Sequence, residues 1–200
     1  MTFLWKQLVL VTACALALFS AFAQSPAIDP ALLAKANAGD PAAQVQLGDI
    51  SRAAGDAVQH DLQQSAEYYR QAVAWYRKAA EQASIPGEMH LAALYRDGGK
   101  GFPRDLEQAA AWYRKAAEQG DVTAQATLGV LYSIGQGVPH DDVEAYFWLD
   151  LAASVKGPNQ QKYAANRQMI GTHITTDQLE DVQQRVARWL AAHPRSGTTE

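Results

Sequence analysis

The sequence predicts an all-α protein built as a stack of helical hairpins, and two observations carry that prediction. The segment WYRKAAEQ at residues 75–82 returns unchanged at residues 112–119, thirty-seven positions later. A looser third copy at residues 148–153 follows at a spacing of thirty-six. Self-similarity at a period of about 20 to 50 residues is typical of stacked-repeat proteins. The composition is also rich in alanine and poor in β-branched residues, which favours close helix packing over sheet.

Each copy is predicted to be the second helix of a hairpin. Two adjoining rows of apolar side chains run along residues 106–119 at helical spacings. The rows consist of Ala109, Trp112 and Ala116, and of Ala110, Tyr113 and Ala117. Together they form an apolar face too wide for a lone surface helix, so neighbouring hairpins must bury it. We expect the tryptophans to pack in this core rather than to contact a cofactor.

The helix starts follow the same repeat. The first helices are expected to be anchored by Leu47-Gly48, Leu91-Ala92 and Leu128-Gly129. The second helices are predicted to start at Asp61, Asp105 and Asp141, each followed by Gln or Glu at the capping-box spacing. The predicted divisions are residues 24–38 (lead and N-terminal capping helix), 39–83, 84–120 and 121–156 (repeats one to three) and 157–200 (C-terminal capping helices and tail). Thr175, with Gln178 three residues on, is predicted to cap the last helix.

The first repeat carries an extra heptad. Residues 66–72 read like a copy of residues 73–79. Seven residues turn an α-helix by about 700°, so the apolar face keeps its phase. The sequence therefore predicts one continuous helix about 10 Å longer than its counterparts. We expect its N-terminal end to overhang the stack and display Tyr68 or Tyr69, which would offer a contact for self-association as a homodimer.

Residues 1–23 are predicted to be a signal peptide. Lys6 is the only charge, residues 7–22 are mostly apolar, and Ala21-Phe22-Ala23 has the small-x-small form of a cleavage site. Cleavage after Ala23 would export the chain to the periplasm or the extracellular space. Two alternatives stay open: an uncleaved membrane anchor, and a lipoprotein acylated at Cys14. Cleavage after Ala23 would leave the mature chain without cysteine.

Charge and motifs limit the function classes. Loss of Lys6 with the signal peptide takes the formal charge from −4 to −5, and no basic stripe is present, which argues against a nucleic-acid partner. The Gly-x-Gly loops at residues 99–101 and 135–137 follow helices, so they are interpreted as turns rather than phosphate cradles. His60 and His140 lie two repeats apart, too far to share a metal ion. His90 is interpreted as a packed or surface residue. No catalytic, cofactor-binding or metal-binding residue is predicted.

A family resemblance supports the same architecture. In the third repeat the pattern consists of Leu128-Gly129, Tyr132, Gly135, Gly137-Val138, Asp141, Ala145 and residues 148–153. In the second repeat it consists of Leu91, Tyr95, Gly99, Gly101-Phe102, Asp105, Ala109 and residues 112–117. Over residues 39–153 the chain resembles the Sel-1-like repeats, αα-hairpins related to the tetratricopeptide repeat. The first repeat departs from the pattern with Ser51, Ala57 and the added heptad.

The resemblance implies a right-handed αα-solenoid of three hairpins, with first helices lining a concave face. Members of the family are adaptors that hold a protein or peptide there, and many are exported by bacteria. Mapping the groove positions of the tetratricopeptide repeat onto this chain gives Asp49, Arg52, Met89, Ala93, Arg96, Asp97, Val130 and Ser133. The expected function is therefore an exported scaffold for a protein or peptide partner, without catalysis.

Two alternatives from other classes are weighed against the scaffold. One is a cell-envelope hydrolase of β-lactam or cell-wall type, because some cysteine-rich members are linked to β-lactams. This chain lacks those cysteines beyond residue 23. The other is a self-assembling structural module. Arg77, Lys78, Arg114 and Lys115 are interpreted as an ordinary solvated helix face, given Glu81 and Glu118 four residues beyond the arginines.

Overall fold

The computed structural model describes residues 26–194, and within that range the chain is entirely helical with no strand. The helices are α1 (Pro30–Asn37), α2 (Pro41–Ala57), α3 (Leu62–Ala80), α4 (Ile85–Asp97), α5 (Leu106–Glu118), α6 (Val122–Ile134), α7 (Asp142–Ala153), α8 (Gln160–Gly171) and α9 (Thr176–Ala192). The all-α solenoid prediction is confirmed. The predicted signal peptide, its cleavage after Ala23 and the alternative at Cys14 lie outside the described residues.

From α1 to α8 each helix packs against the next along the chain, so α2–α3, α4–α5 and α6–α7 form successive hairpins. The anchoring leucines Leu47, Leu91 and Leu128 are all completely buried. Trp112 and Trp148 are buried and Trp75 is partly buried, as expected for side chains shared between units. At the C-terminal end α9 packs back on α7 and covers the third hairpin. Within residues 26–194 no helix combines the length and hydrophobicity that crossing a bilayer requires.

The predicted helix starts are confirmed. Asp61, Asp105 and Asp141 are the N-caps of α3, α5 and α7, and each carboxylate accepts a hydrogen bond from a backbone N–H of the first turn. Such a bond satisfies a donor that has no partner inside the helix. Thr175 caps α9 in a complete capping box with Gln178. The capping residues in the sequence therefore predicted these helix starts correctly.

The extra heptad gives a single longer helix, but it does not overhang the stack. Helix α3 has 19 residues against 13 in α5 and is unbroken, as predicted. The expected display of Tyr68 or Tyr69 is wrong, because their exposed fractions are only 8% and 3%. The reason is that α2 is also longer, with 17 residues against 13 in α4. Its last turn, at Gly55, lies against the Tyr69 ring.

A buried polar side chain recurs near the start of each first helix. Gln44 donates from Nε2 to the carbonyl of Ala36 at 3.0 Å, and Gln125 donates to Ala117 at 3.1 Å, eight residues back in both cases. At the end of the first repeat, Gln82 donates to the Gln44 side-chain oxygen at 2.9 Å. In the third repeat Val155 takes the place of that glutamine, and Oε1 of Gln125 is buried without a hydrogen-bond partner.

In the second repeat this position holds Glu88, which is 3% exposed. Its carboxylate accepts from Nε2 of Gln119 at 2.7 Å. Burial raises the pKa of Glu88, while nearby Lys115 and the Gln119 bond oppose the shift. An ionised carboxylate has no proton to donate to Ala80, the carbonyl eight residues back. The second repeat therefore lacks a hydrogen bond that the glutamines supply elsewhere.

We expect Glu88→Gln to stabilise the protein by about 1 kcal/mol at neutral pH, because the amide would keep the Gln119 contact and add a donor towards Ala80. The folded state of the wild type holds the Glu88 proton more tightly than the unfolded state does. Stability of the wild type therefore falls as pH rises through the window between the unfolded and folded pKa values. Urea unfolding at several pH values measures this. The gain from Glu88→Gln should be larger above that window than below it, and an equal gain throughout would contradict the argument.

Candidate functional site

The predicted partner-binding residues are distributed over three first helices. Asp49 and Arg52 lie on α2, Met89, Ala93, Arg96 and Asp97 on α4, and Val130 and Ser133 on α6. Five of these residues, those of α2 together with Ala93, Arg96 and Asp97, lie in or beside a single cleft between α2 and α4. We call this the α2–α4 cleft. It has a volume of about 300 Å³ and is lined by Arg52, Asp56, Tyr69, His90, Ala93, Leu94, Asp97 and Gly98.

The α2 side of the cleft is organised by a buried tyrosine. Tyr76 of α3 is completely buried, and its hydroxyl donates to Oδ1 of Asp49 at 2.7 Å. Arg52 also interacts with this hydroxyl, and its side chain remains about half exposed, at 48%. Burial, reinforced by the bond to Asp49, raises the pKa of Tyr76, so the phenol stays protonated as a donor.

His90 joins the two helices across the cleft. Its Nδ1 lies 3.2 Å from Oδ1 of Asp49, and its ring stacks on the Tyr76 ring with centroids 5.2 Å apart. The histidine therefore links α4 to the Asp49–Tyr76 pair on the first hairpin. In nucleophilic active sites an Asp–His pair serves an adjacent nucleophile. The residues that line this cleft include neither serine nor cysteine as an adjacent nucleophile.

On the α4 side, Arg96 forms a bidentate pair with the neighbouring Asp97. Its Nε and Nη2 donate to the two carboxylate oxygens at 2.7 and 3.0 Å, and Nη1 donates to the Tyr113 hydroxyl at 2.9 Å. The Arg96 bond lowers the pKa of Asp97, which therefore stays ionised at neutral pH. Asp97 keeps 60% of its side chain exposed, so both signs of charge remain available at the surface.

The far end of the cleft is closed by the heptad tyrosine. The Tyr69 hydroxyl donates to Oδ1 of Asp56, and burial together with this bond raises the pKa of Tyr69 to about 12. Lys100, on the α4–α5 loop, donates to the carbonyls of Asp56 and Val58 at 2.8 Å each. The loop of the second repeat is thereby fastened to the end of α2. Tyr69 thus forms part of the cleft wall instead of an exposed contact surface.

The third repeat does not extend this polar face. Val130 and Ser133 are partly buried, and the Ser133 hydroxyl donates to the Val130 carbonyl of its own helix at 2.9 Å. Met89 is partly buried and packs against the main hydrophobic core. The structure therefore brings together only the predicted residues of the first two repeats.

On the faces of α2 and α4, sequence reasoning missed two polar residues of the cleft, His90 and Asp56. A signal for both is present in the spacing. Asp49, Arg52 and Asp56 fall at i, i+3 and i+7, and His90, Ala93 and Asp97 fall at the same intervals. Residues at these intervals share one helix face. Extending each stripe by one turn from the predicted groove residues would have included both.

The predicted solvated basic face on the second helices is exposed at Arg77, Lys78 and Lys115 and partly buried at Arg114, and its arginines also make contacts between helices. Arg77 donates to the Tyr95 hydroxyl at 3.0 Å, and Arg114 donates to that of Tyr132. Lys78 and Lys115 lie over the rings of Trp75 and Trp112, with Nζ at 4.1 and 3.9 Å from the ring centres. The two lysines therefore lie over the faces of aromatic rings on their own helices, a common role for long basic side chains.

A larger cavity of about 850 Å³ lies at the N-terminal edge of the stack. It is lined mainly by Pro26, Ile50, Ala53, Ala54, Ala57 and Val58, with the α2–α3 turn beside them. Its position follows from the lengths of the helices, because α1 has 8 residues and α2 has 17. We assign the candidate site to the smaller α2–α4 cleft, where charged groups converge. Among residues 26–194 no group of three or more His, Cys, Asp or Glu side chains is placed to hold a metal ion.

Comparison with solved structures places the fold among repeat proteins. The chain is similar to c5321, a protective antigen of uropathogenic Escherichia coli strains displaying an SLR fold, with 25% identity and a TM-score of 0.54. That alignment covers 81% of this chain but only 40% of the other, so the present chain spans about two fifths of the antigen's length. It is also similar to a Sel1 repeat protein from Oxalobacter formigenes, with 32% identity, a TM-score of 0.52, and 65% and 92% of the two chains covered. No curated protein sequence matches the chain.

The Sel1 repeat profile matches the chain in four segments, residues 41–74, 69–84, 86–121 and 122–154. The first two overlap at residues 69–74, which lie within the two heptad copies at residues 66–79, so this part of the long helix α3 is matched twice. The segments together span more than half of the sequence and cover the three hairpins seen in the structure. The chain belongs to the Sel1 repeat family.

Proposed function

We propose that this protein is an exported scaffold that binds a protein or peptide partner at the α2–α4 cleft, without catalysis of its own. The observation that carries the proposal is the arrangement of exposed charged side chains around a preformed cleft on two adjacent repeats. Proteins of the Sel1 repeat fold typically serve as protein-interaction scaffolds. Stacked repeats present extended surfaces of this kind to their partners.

The chemistry of the cleft favours a polar partner segment. Arg52 and the Arg96–Asp97 pair offer donors and acceptors side by side, and Ala93 and Leu94 provide an apolar wall between them. Buried tyrosines hold the charged groups, so part of the entropy cost of ordering them is met before a partner arrives. We expect binding to weaken as the salt concentration rises, because exposed charges are screened within about 10 Å at 0.1 M salt.

Export is the second part of the proposal and rests on the sequence of residues 1–23. The mass of the mature N-terminus distinguishes the soluble, lipidated and uncleaved forms. A chain beginning at Gln24 supports a soluble periplasmic or secreted protein, and a lipid-modified Cys14 supports a membrane-anchored lipoprotein. An intact Met1 would contradict processing altogether.

The partner-binding test is crosslinked pull-down from the native cell envelope, followed by mass spectrometry. We expect Arg96→Ala with Asp97→Ala to weaken capture of the partner about tenfold or more, because two charge-assisted contacts would be lost. The matched control is Glu67→Ala with Arg70→Ala on α3, an exposed ion pair at 2.9 Å whose removal also leaves the net charge unchanged. Equal capture by both double variants would contradict the assignment of the cleft.

The hydrolase alternative is tested on the same purified protein. We expect no turnover of β-lactam or cell-wall substrates. If turnover is found and is lost in His90→Ala, the Asp49–His90 pair would be assigned to catalysis and the scaffold proposal would be replaced. Self-association through the heptad tyrosines is disfavoured, because Tyr68 and Tyr69 are buried.

A further inference from the structure

In each of the first two repeats, a buried tyrosine of the second helix reaches an arginine of the first helix. Tyr76 contacts Arg52, and Tyr113 contacts Arg96. Both tyrosines fall at the same position of the duplicated WYRKAAEQ segment, and both arginines fall five residues after the anchoring leucine. The first two repeats therefore place the same pair of residue types at equivalent positions.

The tyrosines are placed by the packing of each hairpin. Tyr76 is completely buried and Tyr113 is 2% exposed. The Tyr76 ring lies so close to α2 that a Cβ on Gly48 would meet its Cε1 at 2.3 Å. Such rings cannot change rotamer without disturbing the helix pair. Their hydroxyls therefore keep one position, at which the guanidinium groups on the surface can bind.

The third repeat has neither the tyrosine nor the arginine at the equivalent positions. Leu149 stands where the tyrosines stand in the first two repeats, and Ser133 stands where the arginines stand. Leu149 is buried and lies directly against Gly129, so apolar packing replaces the polar contact. A partner that needs an oriented arginine finds one on the first two repeats and not at this position of the third.

We infer that Tyr76 and Tyr113 are positioning residues, which hold Arg52 and Arg96 in the orientation that a partner contacts, and that the interaction face is confined to repeats one and two. This inference rests on the proposed function. It adds the residues that preorganise the face, and it sets the C-terminal limit of the face at the second repeat. Arginine is suited to the role because its planar fork makes several directed hydrogen bonds at once.

The test removes the hydroxyl and leaves the ring. In Tyr113→Phe the apolar packing is kept, and only the acceptor for Nη1 of Arg96 is lost. The matched control is Tyr132→Phe, which removes the hydroxyl that accepts from Arg114 outside the cleft. Side-chain nitrogen NMR of the unbound protein is the first readout. We expect exchange between the Arg96 Nη signals to be faster in Tyr113→Phe, because one of the three hydrogen bonds that restrain the guanidinium is lost while the pair with Asp97 remains, and to be unchanged in Tyr132→Phe.

Partner affinity is the second readout, with the partner recovered by the wild-type pull-down. We expect about fivefold weaker binding for Tyr113→Phe, the loss of one hydrogen bond's contribution, and at least that loss for Tyr76→Phe, whose hydroxyl also donates to Asp49. Tyr132→Phe should bind like the wild type. Val130→Asn with Ser133→Ala should also bind like the wild type. A merely structural role for the tyrosines would lower the melting temperature without changing the Arg96 signals.

The outcomes separate this inference from the proposed function. If the wild type captures no partner, the proposed function fails. If it captures one and both tyrosine variants bind it normally, the positioning role is overturned and the scaffold stands. Unchanged Arg96 Nη signals in Tyr113→Phe would overturn the role directly, without any partner. Loss of binding in the Val130 and Ser133 variant would overturn the limit at repeat two.

Discussion

Replacing Gly137 by alanine is expected to destabilise the protein by about 3 kcal/mol or more. Gly137 has φ of +73°, where a side chain costs roughly 1–2 kcal/mol. A Cβ there would also lie 1.9 Å from the carbonyl oxygen of Leu106, the first residue of α5. Because the obstacle is backbone, relief requires the loop of the third repeat to move away from the second, which adds roughly a further 1–3 kcal/mol.

Gly39→Ala is the matched control, since Gly39 also has a positive φ, +96°, but a Cβ added there would have no atom within 4 Å. We expect this variant to lose only about 1–2 kcal/mol, the conformational cost alone. Urea unfolding of both variants by circular dichroism measures the difference. Equal losses would show that close approach between repeats contributes nothing, and would contradict the packing argument.

The second large effect is expected for Tyr69→Ala, at about 3–5 kcal/mol, the usual cost of removing a buried aromatic ring. The Tyr69 ring lies against Gly55 and Gly99 and stacks on Phe102, with ring centres 5.9 Å apart. Its loss would open a cavity where the first hairpin meets the loop of the second. Guanidinium unfolding monitored by circular dichroism measures the change in the free energy of unfolding.

Tyr69→Phe separates the hydroxyl from the ring. We expect a loss of about 1 kcal/mol at pH 7, because the hydrogen bond to Asp56 disappears and the packing stays. In the wild type the folded pKa of about 12 exceeds the ordinary value of 10, so the folded state binds this proton more tightly. Stability should fall as pH rises from about 10 to 12, and the advantage of the wild type over Tyr69→Phe should vanish there. A constant difference across that range would contradict the role of the hydroxyl.

The first repeat has Ala57 where the repeat pattern has glycine, and the structure supplies an explanation that the sequence did not. Gly101 and Gly137 each lie against the backbone carbonyl of the first residue of the preceding second helix, Leu62 and Leu106 respectively, so neither position has room for a Cβ. The first repeat has Ala57 at the corresponding position. No full-length second helix precedes it within the described residues, because α1 has only 8 residues. The position faces the open cavity at the N-terminal edge, so a methyl group is tolerated.

The cleft could be predicted only in part, because some of the residues that form it come from the second helices. Helical spacing from the anchoring leucines placed Asp49, Arg52, Ala93, Arg96 and Asp97 on first-helix faces, and the structure gathers them. The partners that orient them, Tyr76 and Tyr113, come from second helices and belong to the apolar rows in the sequence. A buried tyrosine with its hydroxyl at the surface is indistinguishable from a core residue by periodicity alone.

The sequence by itself determined the helical repeat, the helix starts and the continuity of α3, because capping residues and a period of 3.6 act over short distances along the chain. Tertiary structure alone decided that Tyr69 is buried and that His90 meets Asp49 at 3.2 Å. Both depend on how far α2 extends beside α3 and on the distance between adjacent hairpins. Those quantities are set by side-chain packing between segments about 40 residues apart, such as the Asp49–His90 pair, and no local pattern encodes them.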